Sequence, residues 1–321
     1  MFDALPAWPT FGLIDDARPA LEAARGAGVP AALATIVGLD GGGPRPIGTQ
    51  MVISAAGFSG FLSGGCLEAD VAGHARAVLA DGAPLRLVYG EGSPWPDIRL
   101  LCGARIEVLL ERIAPDDAAV ARLLELARAR VPAMWVSDGR RRGCAEAALE
   151  DRDWPGCFQK RFDPQPRLIV LGADPTALAI ASLGAQSGYE TTLVRPKGPD
   201  APPPLTDVAY SRSAPTEALG AVGLDPWTAV AVATHEAELD LEALVSALPS
   251  AAFYVGALGA RRRTPERRAA LIAAGISMQD IARLHAPIGL DLGGKAPWEV
   301  AVAVLAQITR ARCDQIKSSD R

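Results

Sequence analysis

The stretch RLIVLGADPTALAIASLGAQSGYETTLV, residues 167–194, decides the fold class. Residues 167–171 are a short apolar run, the pattern of a strand buried on both faces. Gly172 closes that run, and a helical period then leads to Leu183 or slightly beyond. A second apolar strand follows at 191–194. Working outward toward the C-terminus, further strands are expected at 228–233 and 253–258, and helices at 239–248, 265–274 and 297–311. Strands alternating with helices imply a parallel, doubly wound α/β sheet over residues 166–321. The last helix is apolar nearly all round from Val300 to Ile308, which predicts burial under the sheet or against another copy of the chain, and makes a homodimer the expected assembly.

A β-α-β unit of this kind opens a Rossmann-like, dinucleotide-binding fold. The matching fingerprint is G-x-G-x-x-G. Gly172 fills its first place, but Asp174 stands where the second glycine lets the backbone approach a pyrophosphate, and Ala177 fills the third. The second strand ends on Arg195, not on the acidic residue that would grip a ribose, although an arginine there suits a 2′-phosphate. These departures argue against ordinary NAD(P) binding. Asp174 also has a plainer role open to it, as N-cap of the helix that starts at Pro175.

The first half is organised around GLDGGGPRPIGTQMVISAAGFSGFLSGGCLE, residues 38–68. Two alternating runs, 50–53 and 58–62, flank a turn at Gly57 and read as a hairpin. Gly-rich pieces therefore sit at strand ends, where a ligand can approach main-chain N–H groups closely. Cys66 stands where the chain enters a helix over 67–80, and a helix N-terminus favours anions and thiolates. The plain alternatives are a pair of turns and a small buried cysteine. Around this element lie a helix at 15–26, a strand at 29–37, a strand at 85–89, a strand pair 98–102 and 105–110 turning at Cys102, a helix at 115–130 and a strand at 131–136. Residues 1–136 thus form an N-terminal α/β domain with a glycine-rich hairpin. Residues 137–165 read as hairpin and linker, with Arg140, Arg141 and Arg142 in a solvated turn.

With 321 residues, 49% of them apolar and 21% charged, the chain has the composition of a two-domain globular protein. A net charge of −5 gives no reason to expect nucleic acid. No basic, apolar leader opens the sequence and no apolar stretch reaches about 18 residues, so neither a signal peptide nor a membrane span is expected. Five scattered cysteines without a Cys-x-x-Cys pair fit a reducing cytoplasm better than a disulfide framework or a zinc ribbon.

The run from Thr35 through Ser54, with Gly43, Pro44, Arg45, Pro46, Gly48 and Met51, followed by Ser63-Gly64-Gly65-Cys66-Leu67-Glu68, resembles the N-terminal signature of the XdhC/CoxI family. Those are maturation factors for molybdenum hydroxylases such as xanthine dehydrogenase. Gly43 stands where the family usually has serine, and Ala104 departs from a second Cys-Gly-Gly segment begun by Cys102. In the second half, Thr234-His235 through Asp240, the Gly256–Gly259 loop with Arg261, and the 284–293 segment with Asp291 resemble family motifs. The resemblance covers roughly residues 30–110 and 167–311. It implies a chaperone that holds the molybdenum cofactor (molybdopterin), works with a cysteine desulfurase that makes the sulfido form, and delivers it to a xanthine dehydrogenase-type client.

On that reading Gly43, Arg45, Pro46, Gly48, Ser63, Gly64, Gly65, Cys66 and Glu68 grip the pterin and its phosphate. Cys66, with Cys102, offers thiolates to molybdenum or relays sulfur. Gly172, Asp174, Thr234, His235, Gly256, Gly259, Arg261 and Asp291 supply a second wall. No acid–base pair demands turnover. Two other readings stand beside it: an NAD(P)-dependent oxidoreductase working through the second half, and a scaffold that recruits partners without holding cofactor. The plain reading of His235 is a capping or loop histidine, that of the 261–263 arginines a solvated turn, and His74 sits on a helix face.

Overall fold

In the computed structural model the described residues are 5–43, 45–63, 65, 67–91, 93, 105–147 and 156–319, without the side chains of 317–319. The chain divides into two compact units, Met1–Pro164 and Gln165–Arg321.

The first unit runs α1 (Arg18–Gly26), β1 (Ala31–Asp40), β2 (Gln50–Ser54), β3 (Gly57–Gly60), α2 (Glu68–Asp81), β4 (Leu85–Tyr89), β5 (Arg105–Ile113), α3 (Ala118–Arg128), β6 (Ala133–Ser137), β7 (Arg142–Glu146) and β8 (Phe158–Phe162). Five strands form one sheet in the order β3-β2-β1-β5-β4, every pair antiparallel. The continuous apolar run in β1 follows from burial on both faces. Ala32, Ala34 and Ile36 pack with Val71, Ala75 and Val78 of α2, while Ala31 and Leu33 pack with Leu21 of α1 and Leu123 of α3. The expected hairpin is present as β2–β3. The helix expected over 15–26 begins only at Arg18, because the Asp16 carboxylate accepts from the Arg18 backbone N–H and guanidinium. The strand expected at 98–102, and Cys102 with it, lie outside the described residues.

Residues 137–165 are more than hairpin and linker. β7 and β8 pair on either side of β6 in a three-stranded antiparallel sheet. Phe162 and Trp135 join the core of α1 and α3. Arg142, expected in a solvated turn, is a correction: its guanidinium binds Asp117 at 2.7 Å and Glu111 at 3.3 Å and is mostly buried. Asp117 in turn caps α3.

The second unit runs β9 (Arg167–Gly172), α4 (Pro175–Gln186), β10 (Glu190–Val194), β11 (Val208–Ser211), α5 (Pro215–Val222), β12 (Thr228–Ala233), α6 (Ala237–Ala247), β13 (Tyr254–Ala257), α7 (Thr264–Ala273), α8 (Met278–Ala282), β14 (Leu284–His285) and α9 (Pro297–Ser319). Its six strands are all parallel in the order β11-β10-β9-β12-β13-β14. Counted from β9 as the first strand, that is the 3-2-1-4-5-6 order of a Rossmann sheet. Strand alternation fills two layers. Leu168 and Val170 meet α4 and α9, and Ile169 and Leu171 meet α5 and α6.

Gly172 is required by packing, since a Cβ there would come within 2.6 Å of both Ala177 Cβ and Ala233 O. Within the single chain, only one face of the last helix packs under the sheet. Ala301, Val304, Leu305 and Ile308 face the core, but Val302 is 51% exposed and Trp298 is exposed beside it. Among the described residues no helix is long and apolar enough to cross a membrane.

Candidate functional site

In the first unit the segment after β3 is built around a buried carboxylate. Glu68 Oε1 accepts from the backbone N–H of Leu62 at 2.9 Å and of Ser63 at 2.6 Å. Its Oε2 accepts from the Ser63 hydroxyl at 2.8 Å and from Leu67 N–H at 3.2 Å. Ser63 Oγ also accepts from Gly65 and Leu67 N–H. Glu68 and Ser63 therefore direct their polar capacity at the chain itself. They fix both ends of the 63–67 segment, whose Gly64 and Cys66 lie outside the described residues. Below it, Asp70 accepts from Tyr89 Oη at 2.7 Å and lies 3.6 Å from His74. Burial, and then the Asp70 hydrogen bond and charge, push the Tyr89 phenol far above its ordinary range.

A cavity of about 350 Å³ is lined by Asp15, Pro46–Thr49 and the 158–161 stretch of β8. Pro46 O accepts from Thr49 N–H and Oγ1, closing a turn in which Gly48 takes φ +91°, the conformation a type II turn requires of its third residue. That turn presents Gly48 O to Lys160, whose ammonium donates to it at 2.8 Å and to Gln50 Oε1 at 3.0 Å, over the Phe162 ring. Burial lowers the Lys160 pKa to about 8. Arg45 pairs with Asp15, and its buried Nε has no hydrogen-bond partner among the described residues. At Gly43 a Cβ would lie 2.4 Å from Leu39 Cδ1, so the leucine occupies the space of the hydroxyl side chain that the signature leads one to expect.

In the second unit the parallel register places Gly172 of β9 opposite Ala233 of β12. Two residues beyond each, Asp174 and His235 meet at the crevice where strand order reverses. His235 Nε2 lies 3.0 Å from Asp174 Oδ2, while Asp174 Oδ1 accepts from Ala177 N–H at 2.8 Å and caps α4. Burial works to raise the Asp174 pKa, but the Ala177 hydrogen bond and His235 prevail and hold it below the ordinary value. The place a pyrophosphate would take at the α4 N-terminus thus already holds a carboxylate.

Behind this pair, Thr234 Oγ1 donates to Asp240 at 2.5 Å, and Asp240 also binds buried Arg267 at 3.0 Å, which donates onward to Leu258 O. Gly256 admits no side chain, because a Cβ would strike Tyr254 Oη and Ile288. Gly259 takes φ +144° beside Arg267. Arg261 and Asp291 pair with each other at 2.7 Å in the open. His285 stacks on the Tyr254 ring, 4.6 Å between centroids, and burial, with Arg310, lowers its pKa.

The structure therefore brings Asp174 to His235, Thr234 to Asp240, and Arg261 to Asp291. Sequence reasoning missed Lys160, Arg267 and Arg142. For Lys160 a signal existed in the alternation of Phe158, Lys160 and Phe162 within a segment read as linker. Among the described residues no group of three or more His, Cys, Asp or Glu is placed to hold a metal ion.

Residues 24–90 match the model of the XdhC and CoxI family, and residues 168–308 match that of the XdhC Rossmann domain. The molybdenum cofactor insertion chaperone PaoD of Escherichia coli strain K12 is 32% identical over 313 residues, covering 96% of this chain and 92% of PaoD. A probable xanthine dehydrogenase subunit from Bacillus subtilis strain 168 is 26% identical over 320 residues, covering 88% of this chain and 93% of that protein. A Bacillus halodurans structure described as a xanthine dehydrogenase superposes with a TM-score of 0.74 at 23% identity, over 92% of this chain and 96% of that one, a likeness of fold.

Proposed function

The chain belongs to the XdhC and CoxI family, and on that premise we propose that it is a maturation chaperone that binds molybdenum cofactor as cargo, protects it, and delivers its sulfurated form to a xanthine dehydrogenase-type hydroxylase. The observation that carries this reading is similarity along nearly the whole chain to an insertion chaperone. The residues fit an anionic, polar cargo in the first unit. Arg45 has a buried Nε without a described partner, and Lys160 lines the adjoining cavity. The cargo's pterin and phosphate call for hydrogen-bond donors of that kind. Cys66 is the proposed soft ligand or sulfur relay, with Cys102 as its companion. A cysteine desulfurase is the proposed sulfur source and the cytoplasm the proposed site of action. The exposed Trp298–Val302 face of α9 is the proposed homodimer contact.

Dinucleotide chemistry is disfavoured by the Asp174–His235 pair, which fills the α4 N-terminus with the protein's own charge. The test is co-incubation with molybdenum cofactor followed by molybdenum and pterin quantification on wild type and Cys66→Ala. Wild type that returns no molybdenum sinks the proposal. Cys66→Ala that loads as well as wild type removes the thiolate role alone.

A further inference from the structure

Around the cavity beside the Pro46–Thr49 turn, the described arginines are matched by carboxylates and the lysine is not. The charge of Arg18 is matched by Asp16 at 2.7 Å, that of Arg45 by Asp15, although its Nε keeps no described acceptor, and that of Arg161 by Asp163 at 2.8 Å. Lys160 differs, because both of its hydrogen-bond partners, Gly48 O and Gln50 Oε1, are neutral. An ammonium donates three hydrogen bonds; beyond the two to Gly48 and Gln50, Lys160 Nζ lies 4.6 Å from the Phe162 ring centre, and among the described residues no carboxylate takes its third N–H. A buried cation held by neutral dipoles attracts an anion far more than one already neutralised by a carboxylate. Gln50 is itself committed, donating through Nε2 to Thr35 at 3.2 Å, so its oxygen stays turned toward the lysine. The cavity, about 350 Å³, accepts a phosphate group with part of the molecule that carries it.

We propose that this cavity is an anion site for a phosphate monoester, with Lys160 as its charge partner and the adjoining Arg45 Nε as a further donor. Lys160 lies outside every motif that carries the family resemblance. Identifying the phosphate with that of the pterin cofactor rests on the function proposed above. Free inorganic phosphate shares the chemistry and serves as the probe.

Charged groups on every neighbouring element bear on Lys160. Asp15, Asp16 and Arg18 come from the N-terminal segment, Arg45 from the turn, and Arg161 from its own strand. The two aspartates are matched by their arginines, so the lysine charge is the surplus. Desolvation brings Lys160 to about 8, so phosphate binding is expected to fade as pH rises through that value.

The experiment is isothermal titration of the full chain with inorganic phosphate, and with sulfate as a dianion that does not titrate, at pH 7.5 and 9.5. Saturable binding by wild type is expected, weakened about tenfold or more in Lys160→Met and retained in Lys160→Arg, as for loss of one charge-assisted hydrogen bond. Both anions are expected to bind more weakly at pH 9.5, and this profile tests the site without any variant should Lys160→Met fail to fold. Absence of saturable binding, equal affinity in Lys160→Met, or equal affinity at the two pH values overturns the site. Cofactor uptake by wild type without Lys160-dependent phosphate binding overturns the anion site and leaves the chaperone reading standing. Lys160-dependent phosphate binding by a protein that returns no molybdenum supports the anion site and overturns the chaperone reading.

Discussion

Replacing Glu68 is the sharpest test of how the 63–67 segment is built. The side chain is buried and receives three backbone N–H groups, from Leu62, Ser63 and Leu67, together with the Ser63 hydroxyl. In Glu68→Ala the Leu67 N–H keeps Ser63 Oγ as a partner, but the N–H groups of Leu62 and Ser63 lose the acceptor described for them. Each orphaned buried donor costs about 1–3 kcal/mol, so Ala is expected to destabilise the fold by roughly 2–6 kcal/mol, a large share of a domain's stability. Glu68→Gln keeps one oxygen for Leu62 and Ser63 and sets an NH₂ against Leu67 N–H. Leu67 N–H keeps Ser63 Oγ as its acceptor and only the serine hydroxyl loses its own, so the expected cost is about 1–2 kcal/mol. Urea unfolding at pH 7.5 reads both, and the ranking matters more than either value. An alanine variant within about 1 kcal/mol of wild type, or a glutamine variant as damaged as the alanine, would falsify the reading of Glu68 as the acceptor that organises this segment.

Other consequences follow from buried charge. The Lys160 pKa, about 8, lies below the unfolded value of 10.5, so the unfolded chain binds the extra proton between these values and stability rises with pH across that window. Relative to Lys160→Met, wild type is expected to gain about 2 kcal/mol between pH 7 and 9.5 in urea unfolding; parallel pH curves for the two proteins count against a desolvated lysine. Arg142→Ala strands Glu111, whose pKa desolvation already raises, and is expected to cost roughly 3–5 kcal/mol, with a smaller loss at pH 5 than at pH 7.5 because protonating the stranded carboxyl costs less as pH nears its ordinary value of 4.5. Asp174→Ala removes the α4 cap and is expected to cost about 0.5–2 kcal/mol, while NADH and NADPH fluorescence stays unchanged on adding wild type; micromolar binding of either overturns the closed-crevice argument.

The parallel sheet was legible because its strands are buried on both faces, and burial leaves a plain apolar run at 168–171 and 228–233. The helix cap at Asp174 was equally local, three residues from the N–H it receives. What escaped depends on pairing. β11 is four residues on a sheet edge, three half-exposed and one exposed, and carries no period of its own. β8 alternates Phe158, Lys160 and Phe162 with exposed polar residues, but only its pairing with β6 gives that alternation a buried face. Arg142 stood in a row of three arginines that looked like one solvated turn, and its burial is set by Glu111, 31 residues away. His235 was singled out, but its partner Asp174 follows only from the β9–β12 register.

The same register bears on why anion recognition is proposed for the first unit and not the second. A Rossmann sheet places the α4 N-terminus at its switch point, and that N-terminus is an anion site by geometry alone. Here the anion is supplied by the chain. Asp174 is close enough to take the Ala177 N–H and is itself held by His235. A second anion would meet a carboxylate at hydrogen-bonding range. The cations that the sequence offered for the task are neutralised in the same way, Arg261 by Asp291 and Arg45 by Asp15. Lys160 differs because a backbone carbonyl and an amide hold it without cancelling its charge, at a position where desolvation makes an incoming anion worth more than water. Availability of charge, and not the count of basic residues in a motif, separates this lysine from the arginines around it.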